Sequence, residues 1–354
     1  MAKKVSDCDC GFIDADEPTH TTFTSLLLVD FTKATWKDLD DIFVRSSYTV
    51  NRTDAAYIRD FEPSQIQLTS SGLELTVSPS PDGLIVPSAS IFTRSAAFLH
   101  GSYRARILVG DVPGTVTAFY NYHNDTSEVD IEYVSARGPT LLYSVKPQIY
   151  YENTNPSAET YQSETWGNDT SSTSSSLSFE QNFHEWSFTW LPDIVHFGLD
   201  ANYSKSITKN VPQAPGTIVL SHWSNGNPKY SQGPPTVKST KVVEFLQAVY
   251  NDANATALEC KKVQEACVIQ DGRLRVALGM EETDGGVLSG GGGGGSSSSA
   301  SASGSTAAAA AAASSFSTLP AVSHVNSATT AGGTASLSPG VVGLWTLILL
   351  FFLR

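Results

Sequence analysis

The chain has 354 residues, with 22 Lys and Arg against 35 Asp and Glu, for a formal net charge of -13. That excess of acid repels phosphate backbones and anionic headgroups, which excludes nucleic acid as a partner and a basic membrane-binding surface. Gly, Ser and Ala dominate the last quarter, so one globular domain of roughly 250 to 280 residues remains.

Residues 1–23 form an N-terminal segment that carries Cys8 and Cys10. Its start, "MAKKVSDCDC", has basic residues but no apolar run behind them and so does not read as a signal peptide. The other cysteines are Cys260 and Cys267. The set lacks a CxxC pair and a nearby His cluster, which favours disulfides over a metal site; three pairings stay open. No metal and no cofactor are expected. Five N-x-S/T sequons, at Asn51, Asn124, Asn168, Asn202 and Asn254, point to passage through a secretory lumen.

From residue 24 to 285 the chain reads as short strands broken by Gly, Pro, Asn and Asp clusters. In order they include "GLELTVS", "GSYRARILVG", "GTVTAFYNYH", "EVDIEYVS", "YSVKPQIYY", "EWSFTWL" and "IVHFGLD". The best helix is expected at "TKVVEFLQAVYNDA", where Val243, Leu246 and Val249 share a stripe. Many strands without a βαβ rhythm predict an all-β, two-sheet antiparallel sandwich or jelly roll. Trp186, Phe188 and Trp190 share a strand face and read as packing, and His123 and His184 as satisfied structural groups.

Within "TSEVDIEYVS", Glu128, Asp130 and Glu132 alternate with Val129, Ile131 and Tyr133. Side chains of a strand alternate between its faces, so the carboxylates share one face and the apolar residues the other. Burying three neighbouring carboxylates is costly, and acids are poor strand formers, so the arrangement calls for a reason beyond folding. A calcium site and a solvated acidic edge strand are the rival readings; this strand supplies neither the turn carbonyls nor the Gly of a calcium loop. Cleavage of a glycosidic bond with retention needs two carboxylates about 5 to 5.5 Å apart, one as nucleophile and one as acid and then base. Two Glu residues four apart on a strand, with Cα atoms roughly 13 Å apart, meet that need by leaning inward, with a short Asp between them to share the titration.

Residues 286–326, including "GGGGGGSSSSASASGSTAAAAAAASS", have no apolar face to bury and are expected to be a disordered stalk. Residues 327–354 end in "VVGLWTLILLFFLR", about 13 apolar residues before one Arg, too short for a spanning helix. Behind a polar, small-residue spacer, this is the layout of a glycolipid-anchor signal, with Asn326 or Ser327 as attachment site. A cell-surface or cell-wall location follows, with membrane contact only through the anchor or tail.

The motif "EVDIE" resembles the E-[ILV]-D-x-E signature of glycoside hydrolase family 16. The resemblance extends over roughly residues 24 to 250, through "FTRSAAFLHGSYRARILVGDVPGTVTAFYNYHNDTSEVDIEYVS", "FHEWSFTWLPDIVHFGLD" and "LSHWSNGNPKYSQGPP" in family order. It implies a concanavalin A-like jelly roll with a concave cleft, acting as a monomer on β-glucan by retaining hydrolysis or transglycosylation. Carried over by position, Glu128 is the nucleophile, Asp130 the assisting acid and Glu132 the acid/base. Arg94, Tyr120, Tyr122, Gln148 and Tyr150 are placed along the donor side, and Trp223 and Asn225 in the facing loop. The motif lacks an inserted residue, which resembles the branch of lichenases, xyloglucan transglycosylases and fungal wall crosslinkers. Many relatives carry Trp two places before the nucleophile; here that place is Thr126. A wall lectin that has lost its chemistry, and a chitin-glucan crosslinking transferase, are the alternatives.

Overall fold

The computed structural model describes residues 8–53, 55–146, 161–165, 179–255, 258, 266–270, 273–274 and 287–291. Gln148, Tyr150, Asn168, Cys260 and the expected anchor signal lie outside the described residues.

Two large sheets pack face to face. One, the carboxylate sheet, runs in the order Tyr161–Thr165, Thr140–Lys146, Ser127–Val134, Val116–Asn124, Thr217–Trp223, Ile85–Thr93, Ile58–Phe61 and Tyr48–Val50, with Phe43–Arg45 also on Ile85–Thr93. All its pairs are antiparallel except Ile58–Phe61 with Ile85–Thr93. The opposite sheet runs Asn202–Ile207, Val195–Leu199, His184–Trp190, Phe98–Leu108, Ser239–Asp252, Ser25–Asp30 and Val287–Gly291; Gly72–Val77 joins through Ser239–Asp252 and carries Ile66–Thr69. The expected antiparallel sandwich is therefore what forms.

Period-two alternation builds the shared core. Tyr103, Ala105 and Ile107 point in from one sheet, and Phe119, Ile131 and Tyr143 from the other. Trp186, Phe188 and Trp190 are fully buried in the same core, as their common face predicts. Ring pairs line this core: Tyr103 stacks on its cross-strand neighbour Phe188 at 4.8 Å within the opposite sheet, and Tyr143 on Phe197 at 4.9 Å across the two layers. Each such side chain contributes about 1.5 to 3 kcal/mol by leaving water.

The helix expected at "TKVVEFLQAVYNDA" is instead the 14-residue strand Ser239–Asp252 at the centre of the opposite sheet. Its pairing with Phe98–Leu108 shifts register at Glu244, because Arg106 faces Phe245 while Ile107 faces Val243. The extra residue reverses the inward phase, so Val243 and Leu246 both reach the core three positions apart, which imitates a helical stripe. Val249 faces the other way, into a separate cluster. Among the described residues the only α-helix is the four-residue Trp36–Leu39.

A third layer covers the outer face of the opposite sheet. Thr22–Phe23, Phe12–Asp14, Cys267–Gln270 and Arg273–Leu274 form a four-stranded sheet in which Phe12 to Asp14 run parallel to Cys267 to Ile269. Phe12, Phe23, Cys8, Cys267 and Ile269 pack there against Leu26 and Val249. Cys8 is bonded to Cys267, which resolves one of the open pairings, and Cys10 is also disulfide-bonded. The N-terminal segment is thus integrated with the C-terminal cysteine region. Val287–Gly291, at the start of the expected stalk, pairs along Ser25–Asp30 as a further strand.

Candidate active site

The Ser127–Val134 strand lies inside the carboxylate sheet, between Val116–Asn124 and Thr140–Lys146. Val129, Ile131 and Tyr133 enter the core, so Glu128, Asp130 and Glu132 project together from the outer face. In register, Glu128 stands opposite Tyr122, Asp130 opposite Tyr120, and Glu132 opposite Ala118. The small Ala118, followed on the next strand by Ser221, leaves the space beside Glu132 to a side chain from elsewhere.

The three carboxylates do not lie on an open floor. They are 1 %, 1 % and 6 % exposed for Glu128, Asp130 and Glu132. Part of the cover is a small apolar cluster on the same face, made of Phe61, Val116, Val134, Leu142 and Trp223. Another part is Tyr230, whose hydroxyl donates to Oε2 of Glu132. Tyr120 and Tyr122 are half-buried beside the motif, with rings edge to face and centroids 6.4 Å apart. Tyr122 donates to Asp125 Oδ1 at 2.9 Å. Burial first, and then the bond and charge of Asp125 with the charge of Glu128, push its phenol well above the ordinary tyrosine range.

The remaining expected binding residues separate. Trp223 is on the carboxylate face but only 3 % exposed, with the Arg59 guanidinium 4.4 Å from its ring centroid and Tyr230 stacked at 6.2 Å. Little of its ring is left open as a platform. Asn225 organises its own loop: its Oδ1 accepts from Asn227 N at 3.1 Å and Ser231 Oγ at 3.0 Å, and its carbonyl accepts from Tyr57 N at 3.0 Å. The Tyr57 ring lies so close to Gly226 (φ +64°) that a Cβ there would meet it at 2.3 Å, so this turn takes glycine for both conformation and space. Arg94 stands exposed just past Ile85–Thr93, its Nε donating to the Asp40 carbonyl at 2.7 Å. His123 lies 2.7 Å from the Pro215 carbonyl, and His184 pairs with Asp200 at 2.7 Å. Both histidines have the structural partners expected of them. Among the described residues no group of His, Cys, Asp and Glu gathers as a metal site.

Sequence reasoning missed Tyr230, Arg59 and Arg137. The signal for Tyr230 was an aromatic set in the polar turn "NGNPKYSQGPP", where nothing local asks for one.

A two-sheet sandwich that displays Glu-x-Asp-x-Glu from one strand face is a scaffold for acid-base and nucleophilic chemistry on a sugar acetal. The family model for "Glycosyl hydrolases family 16" matches residues 53–241, more than half of the chain, and the chain belongs to that family. A β-glucanase of Acetivibrio thermocellus is 25 % identical over 170 residues, covering 46 % of this chain and 46 % of that protein. "Congo red hypersensitive protein 2" of Saccharomyces cerevisiae is 25 % identical over 155 residues, covering 41 % of this chain and 30 % of that protein. The matched region is thus less than half the length of these curated relatives. In fold the chain is similar to a Bacillus licheniformis β-glucanase (TM-score 0.51, 15 % identity, 63 % of this chain and 97 % of that one). It is equally similar to an endo-β-1,3-glucanase from Pyrococcus furiosus (TM-score 0.51, 15 % identity, 64 % of this chain and 94 % of that one).

Proposed function

We propose that the protein is a retaining glycosidase or transglycosylase acting on β-glucan, with Glu128 as nucleophile, Asp130 as its assistant and Glu132 as acid and then base. The observation that carries this reading is the projection of all three carboxylates from one strand face of a family 16 sandwich. In the first step the Glu128 carboxylate bonds the anomeric carbon as the glycosidic C–O bond breaks, and Glu132 gives its proton to the departing oxygen. In the second, Glu132 takes a proton from water or from a sugar hydroxyl, and that oxygen displaces the Glu128 ester. Asp130 lies between the two on the same strand face, placed to assist the nucleophile. Tyr120 and Tyr122 offer partly open rings to apolar sugar faces.

For the rest of the chain the proposal is export to a wall or cell surface, with residues 292–326, beyond the Val287–Gly291 strand, as stalk and 327–354 as the signal for a glycolipid anchor. The Cys8–Cys267 disulfide supports an oxidising compartment, and Asn51, Asn124, Asn202 and Asn254 of the sequons are all exposed. Release of the mature protein by a phosphatidylinositol-specific phospholipase checks the anchor.

Product analysis on laminarin, lichenan and chito-oligosaccharides tests the function. Retained-configuration products, either shortened or of new length, are expected from the parent and none from Glu128→Gln. Binding without turnover by the parent identifies a lectin, and near-parental turnover by Glu128→Gln refutes the assignment.

A further inference from the structure

Tyr230 is held on several sides. Its ring stacks on Trp223 with a 17° interplanar angle, and the Arg137 guanidinium sits 5.2 Å from its centroid. Its backbone N–H donates to the Asn227 carbonyl at 3.0 Å, in the loop that Asn225 and Ser231 pin together. Trp223 in turn has Arg59 against it. A phenol fixed by two ring contacts and a pinned loop has little freedom in where its hydroxyl points, and it points at Oε2 of Glu132. Glu132 is flanked in register by Ala118 on one strand and Leu142 on the other, and neither side chain can donate a hydrogen bond to its carboxyl. Acid-base catalysis demands that such a carboxyl be held within about 0.5 Å of its working place.

We propose that Tyr230 is a positioning residue for Glu132, a role that rests on reading Glu132 as the acid/base. By donating to Oε2 it fixes the plane of the carboxyl and directs the catalytic proton to Oε1. As Glu132 loses that proton to the leaving oxygen, the same donor stabilises the carboxylate that forms. When the acceptor hydroxyl returns a proton to Glu132, the cycle closes, and Tyr230 keeps its own proton throughout. The stacked aromatic and cationic groups serve this contact rather than forming a sugar platform, which accounts for the covered ring of Trp223.

The test is Tyr230→Phe, which removes one oxygen and keeps the stack, assayed with two donors of the same sugar. One is a β-glucan oligosaccharide, whose departing oxygen needs a proton; the other is a dinitrophenyl β-glycoside, whose leaving group does not. The expected result is a kcat/KM about 10-fold lower on the oligosaccharide, from loss of a hydrogen bond to a charged group, and within about twofold of the parent on the aryl glycoside. The alkaline limb of the pH profile moves to higher pH, because the carboxylate has lost its donor. In a Glu132→Ala background, Tyr230→Phe adds nothing further on the aryl glycoside. Tyr230→Met, which fills the place with a flexible apolar chain, is run alongside and must give the same division between the two donors. Equal losses on both donors, an unmoved pH profile, or additivity with Glu132→Ala overturns the proposal. A parent chain that turns over neither donor overturns the proposed function itself, and this positioning role falls with it; a parent that is active while the variants show no such division overturns the positioning role alone.

Discussion

Arg104 Nε donates to Asp14 Oδ2 across 2.8 Å, with neither side chain exposed beyond 1 %. This pair fastens the N-terminal segment to the opposite sheet. The same carboxylate oxygen accepts from Ser102 Oγ at 2.6 Å, and Glu185 holds the other side of the guanidinium. Asp14→Ala strips a buried cation of its closest fully buried counter-charge. The expected loss is about 3 kcal/mol, read from the denaturant midpoint.

Cys8 and Cys267 are 259 residues apart in sequence, and their bond closes nearly the whole described chain into one loop. Such a link acts mainly by limiting the unfolded ensemble. Replacing both by Ser is expected to cost about 2 to 4 kcal/mol in denaturant unfolding. Retained core packing, seen as an unchanged near-ultraviolet spectrum before the transition, accompanies the loss.

Three carboxylates on one buried face repel one another and forgo hydration, which is the cost of keeping them for chemistry. Glu128→Gln is therefore expected to stabilise the fold by about 1 kcal/mol at neutral pH while turnover disappears. A thermal melt and a reducing-end assay on the same preparation check both halves, and a lowered melting temperature contradicts the first.

His222 lies between the sheets, its Nδ1 donating to the Val116 carbonyl at 3.1 Å and its Nε2 accepting from Ser239 Oγ at 3.0 Å. Burial, with the neighbouring Lys241 second, pushes its pKa down to about 3. An unfolded His takes up a proton near pH 6.5, so between these values the unfolded state binds more protons than the folded one. The stability tied to a neutral His222 is fully present above about pH 6.5 and is lost as pH falls towards 3. The parent midpoint in denaturant should fall from pH 7 to pH 4, and His222→Gln should flatten that slope. Equal slopes would remove His222 as a cause.

Several elements were legible in the sequence because their signal is local. Alternation in "EVDIEYV" assigns faces without knowledge of any neighbour, and the Trp186, Phe188, Trp190 repeat marks a core face in the same way. The strand Ser239–Asp252 was misread because its bulge at Glu244 exists only in relation to the partner Phe98–Leu108. A register shift between two strands leaves no mark in either alone except a disturbed period, and a disturbed period of two resembles one of 3.6.

The candidate site divides along the same line. Chain order alone determined that Glu128, Asp130 and Glu132 would share a face, because backbone geometry alternates side chains whatever surrounds the strand. Only tertiary structure decided that this face would be covered, that Trp223 would lie against Arg59 and Tyr230, and that a tyrosine 98 residues beyond Glu132 would reach its carboxyl. Those facts depend on how a loop returns across a neighbouring strand, and a contact between residues distant in the chain is fixed by packing rather than by either residue's own preference.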